Sequence, residues 1–107
     1  MISRIYGKVI DTGANYLTVD IGGLCYVVLL PATVRERLDE NIDGDGKIGL
    51  ITYHYFQIEP SRGTPILIGF LNEVEKEFFE EFITVSGIGP RAAVKAFSRP
   101  ISEIVKA

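Results

Sequence analysis

Cysteine, histidine and methionine occur once each in this 107-residue chain, and tryptophan does not occur at all. A lone Cys25 has no internal disulfide partner. Its place in the apolar run Leu24–Leu30 reads as a small hydrophobe filling a strand position, in keeping with a reducing cytosol. His54 has no second histidine or cysteine beside it to make a metal site, so it reads as a partly buried strand residue. No apolar stretch approaches the roughly 20 residues of a membrane-spanning helix, and Arg4 and Lys8 interrupt the opening segment, so a soluble, unexported, cytoplasmic protein is expected. Also lacking are a GxSxG elbow, an HExxH helix and the Gly-Lys-Ser/Thr of a nucleotide-binding loop. No catalytic residue, metal or cofactor is therefore expected, and the function sought is one of binding.

Basic residues are in a slight minority, 11 against 14 acidic, for a formal charge of −3. That balance excludes a general polycation that coats nucleic acid, so any DNA contact must be local. The acids concentrate in Asp39–Asp45 and Glu73–Glu81. After Gly87 stand Arg91, Lys95, Arg99 and Lys106 against Glu103 alone, which permits a basic face beside an acidic one.

The first half of the chain has strand periodicity. Met1–Ile10, Tyr16–Ile21 and Leu24–Leu30 read as three strands, the last two joined by Gly22-Gly23, a hairpin signal because both central positions of a type I′ turn need positive φ. Pro31 stops the third strand and opens a short helix over Ala32–Leu38. Lys47–Phe56 and Pro65–Phe70 supply two more strands, and Gln57–Thr64, with Pro60, Ser61 and Gly63, reads as a projecting loop. Three strands, a helix and two strands is the order of a five-stranded OB-type barrel; a small SH3-like barrel or an open sheet has a similar pattern. The segment Asp39–Gly44 matches the opening of an EF-hand loop, but its twelfth position is Leu50 where a bidentate Glu is needed. It reads instead as part of an acidic turn into the fourth strand.

At Asn72 the period changes. Leu71, Val74, Phe78, Phe82 and Val85 form an apolar stripe at helical spacing opposite Glu73, Glu77 and Glu80. Asn72 is the expected N-cap, Glu75 the capping-box partner and Gly87 the C-cap. A second helix starts at Pro90 and runs through Phe97, and a third begins at Ser98 or Pro100. Val85–Phe97 fits a helix-hairpin-helix pattern: Val85, Gly87, Ile88, Gly89, Ala93, Ala96 and Phe97 stand where apolar, glycine and small residues are needed. The glycines permit a sharp reversal and close approach of the backbone. Ile88 is expected to point back between the helices and Ala93 to permit their close contact. The freed amides at the second helix's N-terminus suit a phosphate, with Arg91 and Lys95, one turn apart, flanking it. Such contacts read the DNA backbone, not its base sequence.

Taken together, Met1-Ile2-Ser3-Arg4-Ile5-Tyr6-Gly7, Gly22–Val28, Ile68-Gly69-Phe70 and Glu77-Phe78-Phe79 leading into Ser86–Ala93 resemble the RuvA family along the whole chain. The resemblance implies a mainly β, α+β protein: an OB-fold barrel over residues 1–70, then a partial helical domain over 71–107 with one helix-hairpin-helix motif. It implies a non-catalytic subunit that recognises four-way (Holliday) junctions in recombination and repair, assembled as a homotetramer and working with the separate ATPase RuvB. Gly87, Ile88, Gly89 and Arg91 match the family's first DNA clamp, with Lys95 beside them. The family's acidic pin between the fourth and fifth strands has two adjacent acids, where this chain has Glu59 alone, beside Arg62. The second clamp and the RuvB-contacting domain have no counterpart within 107 residues, so the expectation is a truncated form or natural fragment that does not recruit RuvB. Two other readings stay open: a single-strand-binding module that stacks bases on Tyr53, Tyr55 and Phe56, and an interaction or oligomerisation module whose acidic helix meets a basic partner.

Overall fold

The computed structural model describes residues 1–96. Phe97, the third helix expected from Ser98 or Pro100, and the basic residues Arg99 and Lys106 lie outside the described residues. The elements are β1 (Arg4–Thr12), β2 (Tyr16–Ile21), β3 (Leu24–Leu29), α1 (Ala32–Glu36), a 3-10 turn (Asp39–Asn41), β4 (Lys47–Glu59), β5 (Arg62–Phe70), α2 (Glu73–Ser86) and α3 (Pro90–Ala96). This is a mixed α+β architecture, a five-stranded sheet with a few helices. The strands close on themselves in the order β1-β2-β3-β5-β4, with β4 returning to β1. All pairings are antiparallel except β3 with β5, which is parallel and confined to Val28↔Leu67 and Leu29↔Ile68. No helix among the described residues is long and apolar enough to cross a membrane.

The hairpin between β2 and β3 forms as the two glycines require: Gly22 and Gly23 have φ of 60° and 96°. The Gly23 amide also donates to Asp20 Oδ1 at 2.9 Å. From that register, period-two alternation sends Val28 and Leu30 inward and turns Cys25 and Val27 to the outside. Cys25 is thus on a strand, as expected, but exposed. Pro31 is the N-cap of α1, which ends at Glu36, two residues short of the expected helix. Val34 and Leu38 nevertheless join the barrel core, both fully buried.

The expected loop over Gln57–Thr64 is instead strand. β4 and β5 remain paired through Gln57↔Thr64, Ile58↔Gly63 and Glu59↔Arg62, and only Pro60 and Ser61 turn the corner. Turn-forming residue types dominated the sequence signal, but Pro60 and Ser61 fill the corner itself, where proline removes no ladder hydrogen bond.

The second half of β5, Leu67–Phe70, has no polar residue because both of its faces are covered. A side chain at Gly69 would lie within 2.9 Å of Val28 and 3.1 Å of Leu50, so that position faces the crowded barrel interior. Its neighbours Ile68 and Phe70 therefore face outward, where α2 covers them. Phe79 of α2 is fully buried, with its ring centroid 5.1 Å from Phe70 and 5.9 Å from Tyr53. This corrects the expected stripe on α2 in part: Leu71, Phe78 and Phe82 do pack against the core, but Val74 and Val85 do not. Val74 and Val85 are 66% and 87% exposed, while Glu75 and Phe79 are buried. The barrel takes the flank on which Phe79 meets Phe70, with Phe78, Phe82 and Ile83 partly buried beside it.

Candidate nucleic-acid interface

The caps of α2 position the turn that follows it. Asn72 Oδ1 accepts from the Glu75 amide at 2.9 Å, the expected N-cap bond. Glu75 reaches back to the Leu71 amide at 3.3 Å, one residue before the partner a capping box supplies, and its other oxygen pairs with Arg37. At the far end Gly87 has φ 74° and its amide donates to the Ile83 carbonyl at 3.1 Å, a left-handed C-cap.

Gly87, Ile88 and Gly89 are all exposed, so the reversal is not packed away against the barrel. The Ile88 amide makes a long contact of 3.4 Å with Ser86 Oγ, and Gly89 offers its carbonyl to the Ala93 amide at 3.0 Å. Pro90 has no amide hydrogen to leave unpaired. The Arg91 and Ala92 amides fall in the first turn of α3, where the helix itself supplies no acceptor. Ala93 and Val94 are buried and hold α3 in place. Ile88, expected to point back between the helices, is 37% exposed. In the described residues the anchoring falls to Ala93 and Val94, both buried in the core cluster.

Arg91 and Lys95 are both exposed, one helical turn apart on α3. Arg91 also reaches the barrel: its Nη1 donates to Gln57 Oε1 at 3.0 Å. Two residues earlier on the same face of β4, the Tyr55 hydroxyl is buried with no hydrogen-bond partner among the described residues. Burial pushes its pKa up, and the nearby Arg91 charge pulls against that push. Gln57 and Tyr55 went unnoticed as parts of this cluster, since a contact between residues 34 apart has no local signature. The acidic flank lies on α2, where Glu80 is held loosely by Lys76 at 3.9 Å. Glu59 ends β4 opposite Arg62, at the tip of the β4–β5 arm.

The other candidates do not assemble as the sequence suggested. Tyr53 and Tyr55 are partly buried 5.8 Å apart on one face of β4, while Phe56 stands on the other, 6.0 Å from His54. They do not make one stacking platform. His54 is half-buried, and its Nδ1 accepts from the Ile2 amide at 3.0 Å. In the acidic turn, Asp43 Oδ1 accepts from the Asp45 and Lys47 amides, each at 2.9 Å, and Oδ2 from the Tyr6 hydroxyl at 2.9 Å. Its carboxylate is committed to the turn, and no cluster of potential metal ligands occurs among the described residues.

The profile described as the RuvA N terminal domain matches residues 1–58, more than half of the chain. The chain belongs to the RuvA family. Relatives named Holliday junction branch migration complex subunit RuvA align beyond that segment and through the turn. The protein of Desulfatibacillum aliphaticivorans is 40% identical over 107 residues, all of this chain and 50% of that protein. That of Desulforapulum autotrophicum is 36% identical over the same 107 residues and 49% of its length. That of Rhodopirellula baltica is 30% identical over 104 residues, 97% of this chain and 50% of the relative. The chain thus spans about half the length of the RuvA relatives it matches.

Proposed function

We propose that this chain is the DNA-contacting front portion of a RuvA protein, a non-catalytic subunit that recognises four-way (Holliday) junctions in recombination and repair. The carrying observation is the exposed Gly87–Gly89 reversal, which leads into a helix whose first-turn amides have no acceptor within the helix, with Arg91 in that turn and Lys95 one turn further on. A phosphate placed there meets oriented N–H dipoles and two cations. Residues 1–70 form an OB-type barrel that carries the clamp, and 71–107 begin a helical domain whose helix-hairpin-helix is the Val85–Phe97 segment. In this reading Gly87, Ile88 and Gly89 present backbone to DNA, Arg91 and Lys95 supply charge, and Glu59 at the arm's tip is the weaker candidate for an acidic pin.

Four copies around a four-fold axis suit a ligand with four arms, since each can offer the same clamp to one arm. Branch migration itself belongs to RuvB, the partner of the complete family member, working on cytoplasmic DNA. The split of Tyr53 and Tyr55 from Phe56 disfavours the stacking alternative. A gel-shift comparison of a four-way junction with a linear duplex of equal length tests the proposal. Preference for the junction, falling steeply with added salt as phosphate contacts release counterions, is expected; equal affinity for the two DNAs removes junction recognition.

A further inference from the structure

We propose that Gln57 is a positioning residue for Arg91: its amide oxygen holds the guanidinium at the mouth of the glycine turn without neutralising it. The inference rests on the reading of the 87–91 turn as the DNA contact. Arg91 is exposed on a helix of seven residues, and a long side chain in that setting samples many rotamers. Gln57 removes much of that freedom. It is half-buried, and its backbone is fixed in the β4–β5 arm by pairing with Thr64, so the acceptor is offered from a rigid element.

The nature of the acceptor decides the direction of the effect. Arg91 gives Gln57 one donor, Nη1, of the five its guanidinium carries, leaving the remainder to meet phosphate oxygens. A carboxylate in the same place would cancel the charge and compete with phosphate; a neutral amide does neither. Among the described side chains none forms an ion pair with Arg91. Tyr55, on the same face of β4, lies close enough to feel the guanidinium charge. The barrel arm thereby sets the aim of a side chain on the helical turn, and ordering that would otherwise accompany DNA binding is already in place.

The test is equilibrium binding of a synthetic four-way junction across a salt series, with thermal melting of each variant to establish folding. Gln57→Met keeps side-chain length and removes the acceptor; Gln57→Glu keeps the acceptor and introduces a negative charge. Gln57→Met should bind about three- to tenfold more weakly, the range for one lost hydrogen bond. Its salt slope should be unchanged, because Arg91 still neutralises its phosphate. Gln57→Glu should also bind more weakly, with a slope shallower by about one ion, as in Arg91→Ala. In an Arg91→Ala background, Gln57→Met should have no further effect. Parental or tighter binding by Gln57→Met, with Arg91→Ala weakened, overturns the positioning role and leaves the DNA-contact reading standing. A Gln57→Met loss that persists in the Arg91→Ala background also overturns it. Parental binding by Arg91→Ala removes both the positioning role and the DNA-contact reading.

Discussion

The Arg37 guanidinium pairs with the carboxylate of Glu75, joining the end of α1 to the first turn of α2. The pair is lopsided: the Glu75 side chain is 7% exposed and that of Arg37 42%. Removing the arginine leaves a buried carboxylate with only the Leu71 amide for support, whereas removing the glutamate leaves an arginine that water can reach. Arg37→Ala should therefore destabilise more than Glu75→Ala, by about 2 kcal/mol in total, below the range for a fully buried pair because one partner is solvated. Denaturant unfolding of the two variants checks the order.

Phe79 and Val85 of α2 should respond very unequally to truncation. Phe79→Ala removes a fully buried ring from contact with Phe70 and Tyr53 and should cost about 3–5 kcal/mol. Val85→Ala, at an exposed position, should change stability by no more than about 0.5 kcal/mol. Thermal melts of both proteins test which flank faces the barrel.

Much of this architecture was legible because it rests on local chemistry. Gly22-Gly23 specified a hairpin, Asn72 and Gly87 bounded α2, and the change from strand to helix period marked where the sheet ends. What stayed hidden depends on partners distant in sequence. Val74 and Val85 continue the stripe of Leu71, Phe78 and Phe82 at helical spacing, and only with Phe70 in place is it decided that Phe79 is covered and the two valines are not. Likewise a strand reads the same at Cys25 whether its neighbour is core or solvent. The Gln57–Arg91 contact has no sequence pattern, since a glutamine on a strand and an arginine on a helix are both ordinary surface residues. The turn itself was legible because few sequences besides a glycine-rich one reverse so tightly.

The Tyr6–Asp43 bond gives stability a defined pH window. Hydrogen bonds from the Lys47 amide, the Tyr6 hydroxyl and the Asp45 amide hold the Asp43 carboxyl below its ordinary 3.8. A group whose folded pKa is depressed contributes above its unfolded value and loses that contribution as pH falls through the folded one. Tyr6 is shifted the other way, above 10.0, chiefly by the bond to Asp43. Its contribution is complete below pH 10.0 and is lost as pH rises through the raised value. Melting temperature measured against pH should show Asp43→Asn less stable than the parent at neutral pH, with the gap closing below pH 3.8.

Gly87 holds a left-handed backbone, φ 74°, that costs a residue with a Cβ about 1–2 kcal/mol. Gly87→Ala should lose about that much stability and also weaken DNA binding, because relief of the strain reshapes the turn. Gly87→Asn should lose less, since asparagine tolerates this region. Chemical denaturation and junction binding of the two variants, compared side by side, test the link between backbone conformation and DNA contact.

The most direct test of the DNA-contacting turn compares Arg91→Glu with the parent protein, each titrated with a four-way junction and with a linear duplex of equal length. The parent should prefer the junction, and the substitution should abolish most of that binding while leaving the melting temperature within a few degrees. Unchanged junction binding by Arg91→Glu would contradict the assignment of this turn as the phosphate contact.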